Sequence, residues 1–519
     1  MFDRNVNQTP RMRGNRALTR IGFLLLSIFG IVCSASTSDI LLKNLSIYDG
    51  SGKKAFHGDV RIHDDHITNV GKHLRAQPGD QVVDEHGLAL APGFTDMHSH
   101  ADAGIFKDLN SENVIRQGVT TVLVGQDGVS EYPLADFLNK LDKQPAAMNF
   151  ASMVGQSTIR MQVMGKDFLR PSTPDELAKM RDLLAKEMSA GSFGLSTGLE
   201  YESAHFSTTE EVVALSKIAA ADGGFYISHV RDEGNGVFDS FREIIKIGAD
   251  AHLPVEISHI KLATTPVWHM AATRMPAVFE DARRQGVDLK ADVYPYTFWE
   301  STIRVIVLDH DYFNPAKVSK AIADNGGADH LRFIDYDPDP SIVGKTLQDA
   351  ANMWHVTPVE AYMRIVKNGS EPGKDASVMG EAMSEDDLRW FIANPRIMFC
   401  SDGGLHDSHP RGAGSFPRVL GRYVREQKVL SMQEAIHKMT EMPAQQLGLR
   451  DHGLVAPGYV ADLVVFDPAT VADGSTVQNS EAPPAGIEDV MVSGVWVVDK
   501  GKVTGAHPGK VLRHPRTIQ

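Results

Sequence analysis

Cysteine is nearly absent from this chain: Cys33 and Cys400 are the only two in 519 residues. A disulfide-stapled framework is therefore excluded. The apolar run IGFLLLSIFGIVC (21–33) is short for a membrane span. No cluster of Lys and Arg follows the first twenty residues, and the formal charge is −14. General nucleic-acid binding needs such clusters to displace counterions from phosphate, so that class falls away. There is no internal repeat of 20–50 residues and no low-complexity tract. What remains is ordinary for a soluble globular protein, 42% hydrophobic and 23% charged. The length suits one large domain with a smaller one beside it.

The N-terminus differs from the rest. Arg4, Arg11, Arg13, Arg16 and Arg20 precede the apolar run, and small polar residues, SASTS, follow it. This reads as a secretory signal over residues 1–35 with cleavage after Ala35. The expected location is periplasmic or secreted, with a membrane anchor if the segment is not cleaved. Cys33 suits a lipid anchor less well, because Val32 before it is not small. Cleavage would remove five Arg and Asp3 and leave a net charge of −18. Only Cys400 would stay, so the mature chain could not form an internal disulfide.

Residues 36–92 and 452–519 share short alternating runs bounded by Gly, Asp and Asn, the pattern of strands and turns. The two ends are expected to meet in one small β-sandwich domain. Between them, in 93–451, eight short apolar runs alternate with helical stretches: GFTDMHSH (93–100), TTVLVGQD (120–127), NFASMVG (149–155), SFGLSTG (192–198), FYISHV (225–230), VEISHI (255–260), LKADVYPY (289–296) and IMFCSDG (397–403). That order predicts an α/β protein with a (β/α)8, TIM-like barrel. Capping boxes at Thr173/Glu176, Thr208/Glu211 and Ser431/Glu434 start helices after strands three, four and eight. Residues 297–396 are too many for one loop and helix, so an insertion is expected there.

Active sites of such barrels lie at the C-terminal ends of the strands. Strand one ends in His98 and His100, strand two in Asp127, strand five in His229, strand six in His259 and strand eight in Asp402. All six are residue types that bind zinc or related divalent metals. His98 and His100, two apart on a strand, point to the same side and can grip one ion. A lone histidine at a strand end is commonly a packed residue, but four strand ends carrying HSH, SHV, SHI and CSDG make a metal centre the stronger reading.

These blocks resemble the D-aminoacylase (N-acyl-D-amino-acid deacylase) family of the metal-dependent amidohydrolase superfamily. PGFTDMHSHAD, GSFGLSTGLEY, YISHVRDEG, VEISHIK, DVYPYT and CSDGGLHDSHPRGAGSFPRVLGRYVREQ occur in that family's order, and the likeness runs from about residue 40 to 512. The resemblance implies one or two divalent ions, zinc foremost. His98 and His100 would hold one and His229 and His259 the other, with Asp402 as ligand and proton shuttle. The departure is Asp127: the family's motif after strand two reads GNCG with a cysteine ligand, and here it reads GQDG. A carboxylate can bridge two ions as a thiolate can, but it is a harder ligand and favours zinc less. An Asx-turn between Gly125 and Gly128 is the alternative role for Asp127. The bridging lysine that many superfamily members take from strand four has no counterpart in SFGLSTG.

A divalent ion bound there would lower the pKa of water toward neutrality, giving hydroxide to attack an amide carbonyl. Asp402 would accept the proton and pass it to the departing amine. By resemblance, Lys261, Tyr294 and Arg411 match the family's carboxylate-binding positions, and Ser301 adds a hydrogen bond although FWES is one residue longer than the usual pattern. The implied reaction is hydrolysis of N-acyl-D-amino acids, and the D hand comes only from the resemblance. Alternatives are a dipeptidase releasing a C-terminal D-residue, a cyclic-amide hydrolase, or an inactive binding protein on the same barrel. Small-molecule substrates are the expected partners, with a homo-oligomer possible. Arg231, Asp232 and Glu233 read as loop charges that pair with each other, Cys400 as a packed core residue, and His406 and His409 as neighbours of Asp402. Gln156 stands where the family's relatives carry histidine.

Overall fold

The structure, a computed structural model, describes residues 39–369 and 375–515. The signal expected over 1–35 lies outside them. The described residues belong to one compact unit.

Eight parallel strands line up in the expected order: β1 (Phe94–Asp96), β2 (Val119–Val124), β3 (Asn149–Ser152, resuming as Val154–Gly155), β4 (Gly194–Gly198), β5 (Phe225–His229), β6 (Val255–Ile257), β7 (Leu289–Val293) and β8 (Ile397–Phe399). β3 is shared between two arcs, pairing with β2 through its first half and with β4 through its second. The ring closes between β1 and β8 just past their ends, where Ser99 bridges to Gly403. Nearly every strand residue is buried, because helices cover one face and the other fills the barrel interior. Met97, Leu123, Met153, Phe193, Ile227 and Met398 fill that interior.

The helices follow the chain signals. Pro174–Met188 and Met432–Met439 start with the full reciprocal capping boxes predicted for them. Thr209–Ala221 starts with half a box: Thr208 accepts from Glu211 N, but the Glu211 carboxylate turns to the fully buried Arg160 instead (2.6 and 2.7 Å). A charge-assisted pair in the interior is worth more than an exposed capping bond, and it diverts the side chain. Within 297–396, strands Phe298–Thr302, Arg332–Asp335 and Ser377–Glu381 form a small antiparallel sheet with helices Pro315–Asp324, Leu347–Trp354 and Pro358–Asn368. Its edge Phe298–Thr302 runs directly on from β7 and walls the barrel mouth.

The two chain ends form one hydrogen-bonded nine-stranded sheet that curls over on itself as the expected sandwich: strand Ala89–Pro92 pairs with Leu463–Phe466, joining the N-terminal to the C-terminal segment, while Ile67 N donates back to Tyr459 O and Ala461 N to Asp65 O, so that the two halves face each other across a shared core. Alternation on these strands is strict. Leu90, Leu463, Val465 and Met491 face a separate core with Leu42, Ile47, Val60 and Ile62, whereas Ala89, Val464, Phe466 and Val490 pack into the main barrel core. The chain's last described stretch crosses the opposite end of the barrel. Gly509 N donates to Ala146 O, Phe150 N to Lys510 O, Leu512 N to Phe150 O and His514 N to Gly191 O, all at 2.8–2.9 Å. Leu512 packs under the barrel's interior core.

Candidate metal centre

Backbone hydrogen bonds bring the two ends of the ring together at the mouth. Asp402 N donates to His98 O (2.8 Å) and His100 N to Gly403 O (2.9 Å). Beneath them the Asp96 carboxylate accepts from Ser401 N and Oγ and from His98 N. Three of the predicted residues lie in the left-handed region, Asp127 (φ 55°), His259 (φ 32°) and Asp402 (φ 51°). Non-glycine residues rarely adopt it, and such strain clusters at functional sites. Each sits just past a strand end, where the turn swings its side chain inward. Asp127 is steadied by Gln126, whose Nε2 donates to Met97 O and Leu123 O.

The side chains converge. His98, Asp127, His259 and Asp402 offer ligand atoms all within 4.8 Å of one another. His98 Nε2 lies 3.5 Å from both Asp127 Oδ1 and Asp402 Oδ1, and His259 Nε2 lies 3.4 Å from Asp127 Oδ1. His100 Nε2 is 3.3 Å from Asp402 Oδ1 and 3.6 Å from Asp127 Oδ2. Both nitrogens of the fully buried His98 ring, and Asp127 Oδ1, have no hydrogen-bond partner. Buried polar atoms almost always find partners, so His98 Nε2 and Asp127 Oδ1, two orphans facing each other across 3.5 Å, are what a cation-binding site leaves behind. Two histidines and two carboxylates are a donor set that zinc accepts. Burial would raise the Asp127 carboxyl, but the His98 and His259 rings overcome it and hold it well below the usual carboxylate range. Burial likewise opposes ionisation of Asp402, and Arg411 with His259 reverses the balance.

His229 enters from the other side. A second group, His229, Glu233 and His259, shares His259 with the first. Two carboxylates that the sequence reading gave no part here, or only a loop role, orient these rings. Glu200 Oε2 lies 2.6 Å from His229 Nε2, which fixes a proton there and leaves Nδ1 facing His259 Nε2 at 3.1 Å. His259 Nδ1 lies 2.7 Å from Lys261 Nζ and 3.3 Å from Glu233 Oε1, leaving that ring's Nε2 to face Asp127. Carboxylate–histidine pairs of this kind hold metal-ligating imidazoles in place. The only hint in the sequence was position: Glu200 and Glu233 follow the ends of β4 and β5.

The predicted carboxylate clamp is present but already engaged. Lys261 Nζ donates to Glu233 Oε1 and Oε2 (2.8 and 3.0 Å), and Arg411 Nη1 donates to Asp402 Oδ2 (2.5 Å). Tyr294 is fully buried beneath both cations, its ring centroid 4.9 Å from the Arg411 guanidinium and 5.7 Å from Lys261 Nζ. It does not line the cavity, whereas Ser301 does, beside Trp299 and Glu300. Arg411 is held by His409, whose Nδ1 accepts from Arg411 N while Nε2 donates to Phe298 O (both 3.0 Å). The loop folds back tightly there: a Cβ on Gly403 would stand 2.5 Å from Gly412 Cα. His406 is exposed and pairs with Glu481. Arg231 pairs with Glu243, Asp232 caps Gly234 and Gly236, and neither reaches the cluster. Gln156 Nε2 donates to Ser207 and Glu211, away from the site. Cys400 packs against Tyr294 and Tyr296.

A cavity of about 610 Å³ opens over the cluster, lined by His100, Asp127, His229, His259 and Asp402 on its floor and by Tyr132, Trp299, Ile306 and Leu308 on its walls.

Comparison with known proteins gives this geometry its context. Residues 81–498 match the model of the amidohydrolase family. The D-aminoacylase of Alcaligenes xylosoxydans xylosoxydans is 34% identical over 502 residues, covering 91% of this chain and 97% of that one. The crystal structure of N-acyl-D-glutamate deacylase from Bordetella bronchiseptica, complexed with zinc and a phosphonate mimic of the tetrahedral intermediate, has a TM-score of 0.82 at 30% identity and covers 92% of this chain and 100% of that one. A D-aminoacylase with a binuclear metal centre has a TM-score of 0.81 at 31% identity, covering 91% and 99%. The chain belongs to the amidohydrolase family and, within it, to the D-aminoacylase family.

Proposed function

We propose that this protein is a zinc-dependent amidohydrolase that hydrolyses N-acyl-D-amino acids to a carboxylate and a free D-amino acid. The observation that carries the reading is the cluster itself: His98, Asp127, His259 and Asp402 converge at the mouth of a barrel, with His98 Nε2 and Asp127 Oδ1 unpartnered, beside two cations. His100 and His229 complete the donor set. A divalent ion held there lowers the pKa of water and polarises a carbonyl.

The chain's own groups supply the rest. Arg411 ties down Asp402 Oδ2 and leaves Oδ1 turned to the cluster, 3.3 Å from His100 Nε2. Asp402 takes the proton of the attacking water and returns it to the amine, without which the leaving group would be an amide anion. Glu200 keeps His229 in one orientation and one tautomer, and Glu233 with Lys261 positions the His259 ring. Lys261 and Arg411 bind the substrate carboxylate, exchanging part of their contact with Glu233 and Asp402 for it. Ser301 lines the same wall. The D hand is supported by the relatives, whose names specify D-amino acids.

A dipeptide with a C-terminal D-residue is the second reading. Asp102 and Glu131 line the cavity without an ion pair to Lys or Arg among the described residues, and in this second reading the acyl half, which carries the peptide's α-ammonium, would share that cavity with the C-terminal residue. Export to the periplasm or beyond also belongs to the proposal, on the Arg-rich start and apolar run of residues 4–33. The test is hydrolysis of N-acetyl-D- and N-acetyl-L-amino acids and of D-containing dipeptides by metal-loaded protein, with Asp402→Asn as control. Release of D-amino acids that depends on Asp402 supports the reading, and turnover of L-compounds alone overturns it.

A further inference from the structure

We propose that the acyl half of the substrate lies in a second cavity, apart from the one that receives the amino-acid half, and that the enzyme prefers acyl groups longer than acetyl. The proposal rests on the deacylase reading above and names its substrate class.

Two cavities meet at the cluster. The first, of about 610 Å³, carries Lys261 and the apolar wall of Trp299, Ile306 and Leu308. The second, of about 580 Å³, is lined by Gly104, Gly404 and Leu405 and by the side chains of Lys107, Asp108, His406 and Asp407. His100, Ala103, Asp402 and Arg411 line both and form the partition between them. Each cavity alone is of the size that takes a drug-sized ligand. An acetyl group, one methyl beyond the carbonyl, would leave the second almost empty.

Amide geometry assigns the halves. An amide is planar and trans, so the carbon on its carbonyl side and the carbon on its nitrogen side point in opposite directions. Lys261 lines the first cavity only, which places the carboxylate and side chain of the amino-acid half there. With the carbonyl at the cluster, the acyl chain must then run the other way, over His100 and Ala103 and into the second cavity. Glycine keeps that path open: a Cβ built on Gly104 or Gly404 meets no atom within 4 Å. Leu405, otherwise buried, supplies apolar surface to the cavity. Gly404 is the useful site for a test, because its backbone lies outside the left-handed region and a side chain there would occupy the groove without strain.

The experiment measures kcat/KM of the zinc-loaded enzyme for the N-acetyl, N-butanoyl and N-hexanoyl derivatives of one D-amino acid, in wild type and Gly404→Leu. Each added methylene buried in the groove should raise kcat/KM, giving a hexanoyl-to-acetyl ratio of about tenfold or more in wild type. In Gly404→Leu that ratio should fall by about the same factor. As a readout independent of the variant's folding, hexanoate should inhibit the wild type about tenfold more strongly than acetate. A flat or falling chain-length profile, a ratio unmoved by Gly404→Leu, or equal inhibition by the two acids overturns the second-cavity proposal while leaving the deacylase reading intact. No hydrolysis anywhere in the series overturns that reading, and this one with it.

Discussion

In the nine-stranded sheet, buried polar groups are answered one at a time. Asp59 accepts from Asn44 N and Leu74 N, Asp462 from Asn149 Nδ2 and Ser493 N, and Arg61 reaches both Asp39 and Asp80. At the barrel mouth the rule breaks repeatedly within one small volume: left-handed Asp and His residues, orphaned nitrogens on His98, and acids facing acids. The sheet has exceptions too, the partnerless buried oxygens Glu85 Oε1 and Ser493 Oγ and left-handed residues such as Asn44 and Asp64, but they are scattered singly along its turns and edges. An isolated violation is a stability cost; violations that converge on a point are a site.

The sharpest way to break this contrast is at the proton shuttle. Asp402→Asn should lower kcat by ~1,000-fold with substrate affinity much less affected, measured by steady-state kinetics on metal-loaded protein. Next in size, His98→Ala or Asp127→Ala should weaken zinc by about 100-fold or more in competition with a chelator, whereas removing a sheet acid such as Asp59 should leave zinc affinity alone. Asp127→Cys should raise the preference for zinc over manganese, since thiolate is the softer ligand. Lys261→Met should raise KM by ~10-fold with a smaller change in kcat, the mark of lost ground-state binding.

The smallest effect belongs to the sheet. Burial, with Asp489 and Asp84 nearby, raises the Glu85 carboxyl to about 7. A folded-state value above the unfolded one means that Glu85 stabilises the fold fully below its unfolded pKa and loses that contribution as pH rises through 7. Glu85→Gln should therefore stabilise the protein at pH 8 by on the order of 2 kcal/mol and change little at pH 4, in denaturant titrations at the two pH values. A gain that is the same at both would show that the Glu85 charge is already well solvated.

The barrel was legible because parallel strands buried on both faces read as short continuous apolar runs, and each of the eight runs holds a barrel strand. The ligand residues were legible because they end those runs. Pairings across loops were not. Glu200 and Glu233 meet His229, His259 and Lys261 only after β4, β5 and β6 are side by side, and no periodicity encodes that. Glu211 read as a capping residue because local spacing cannot reveal Arg160, 51 residues away. At the chain ends alternation shows which residues face inward, and with them the shared core of the expected sandwich; it does not show that Ala89–Pro92 pairs with Leu463–Phe466 and joins the layers into one hydrogen-bonded sheet.

The crossing of residues 509–514 beneath β3 and β4 bears on how the protein is made. The sheet's first strands wait for Leu463–Phe466, and the floor of the barrel waits for Leu512, so the fold cannot close until synthesis has passed residue 512. Contacts so distant in sequence form slowly. A chain cut after residue 508 would lose the bonds to Ala146, Phe150 and Gly191 and deliver an unfinished barrel.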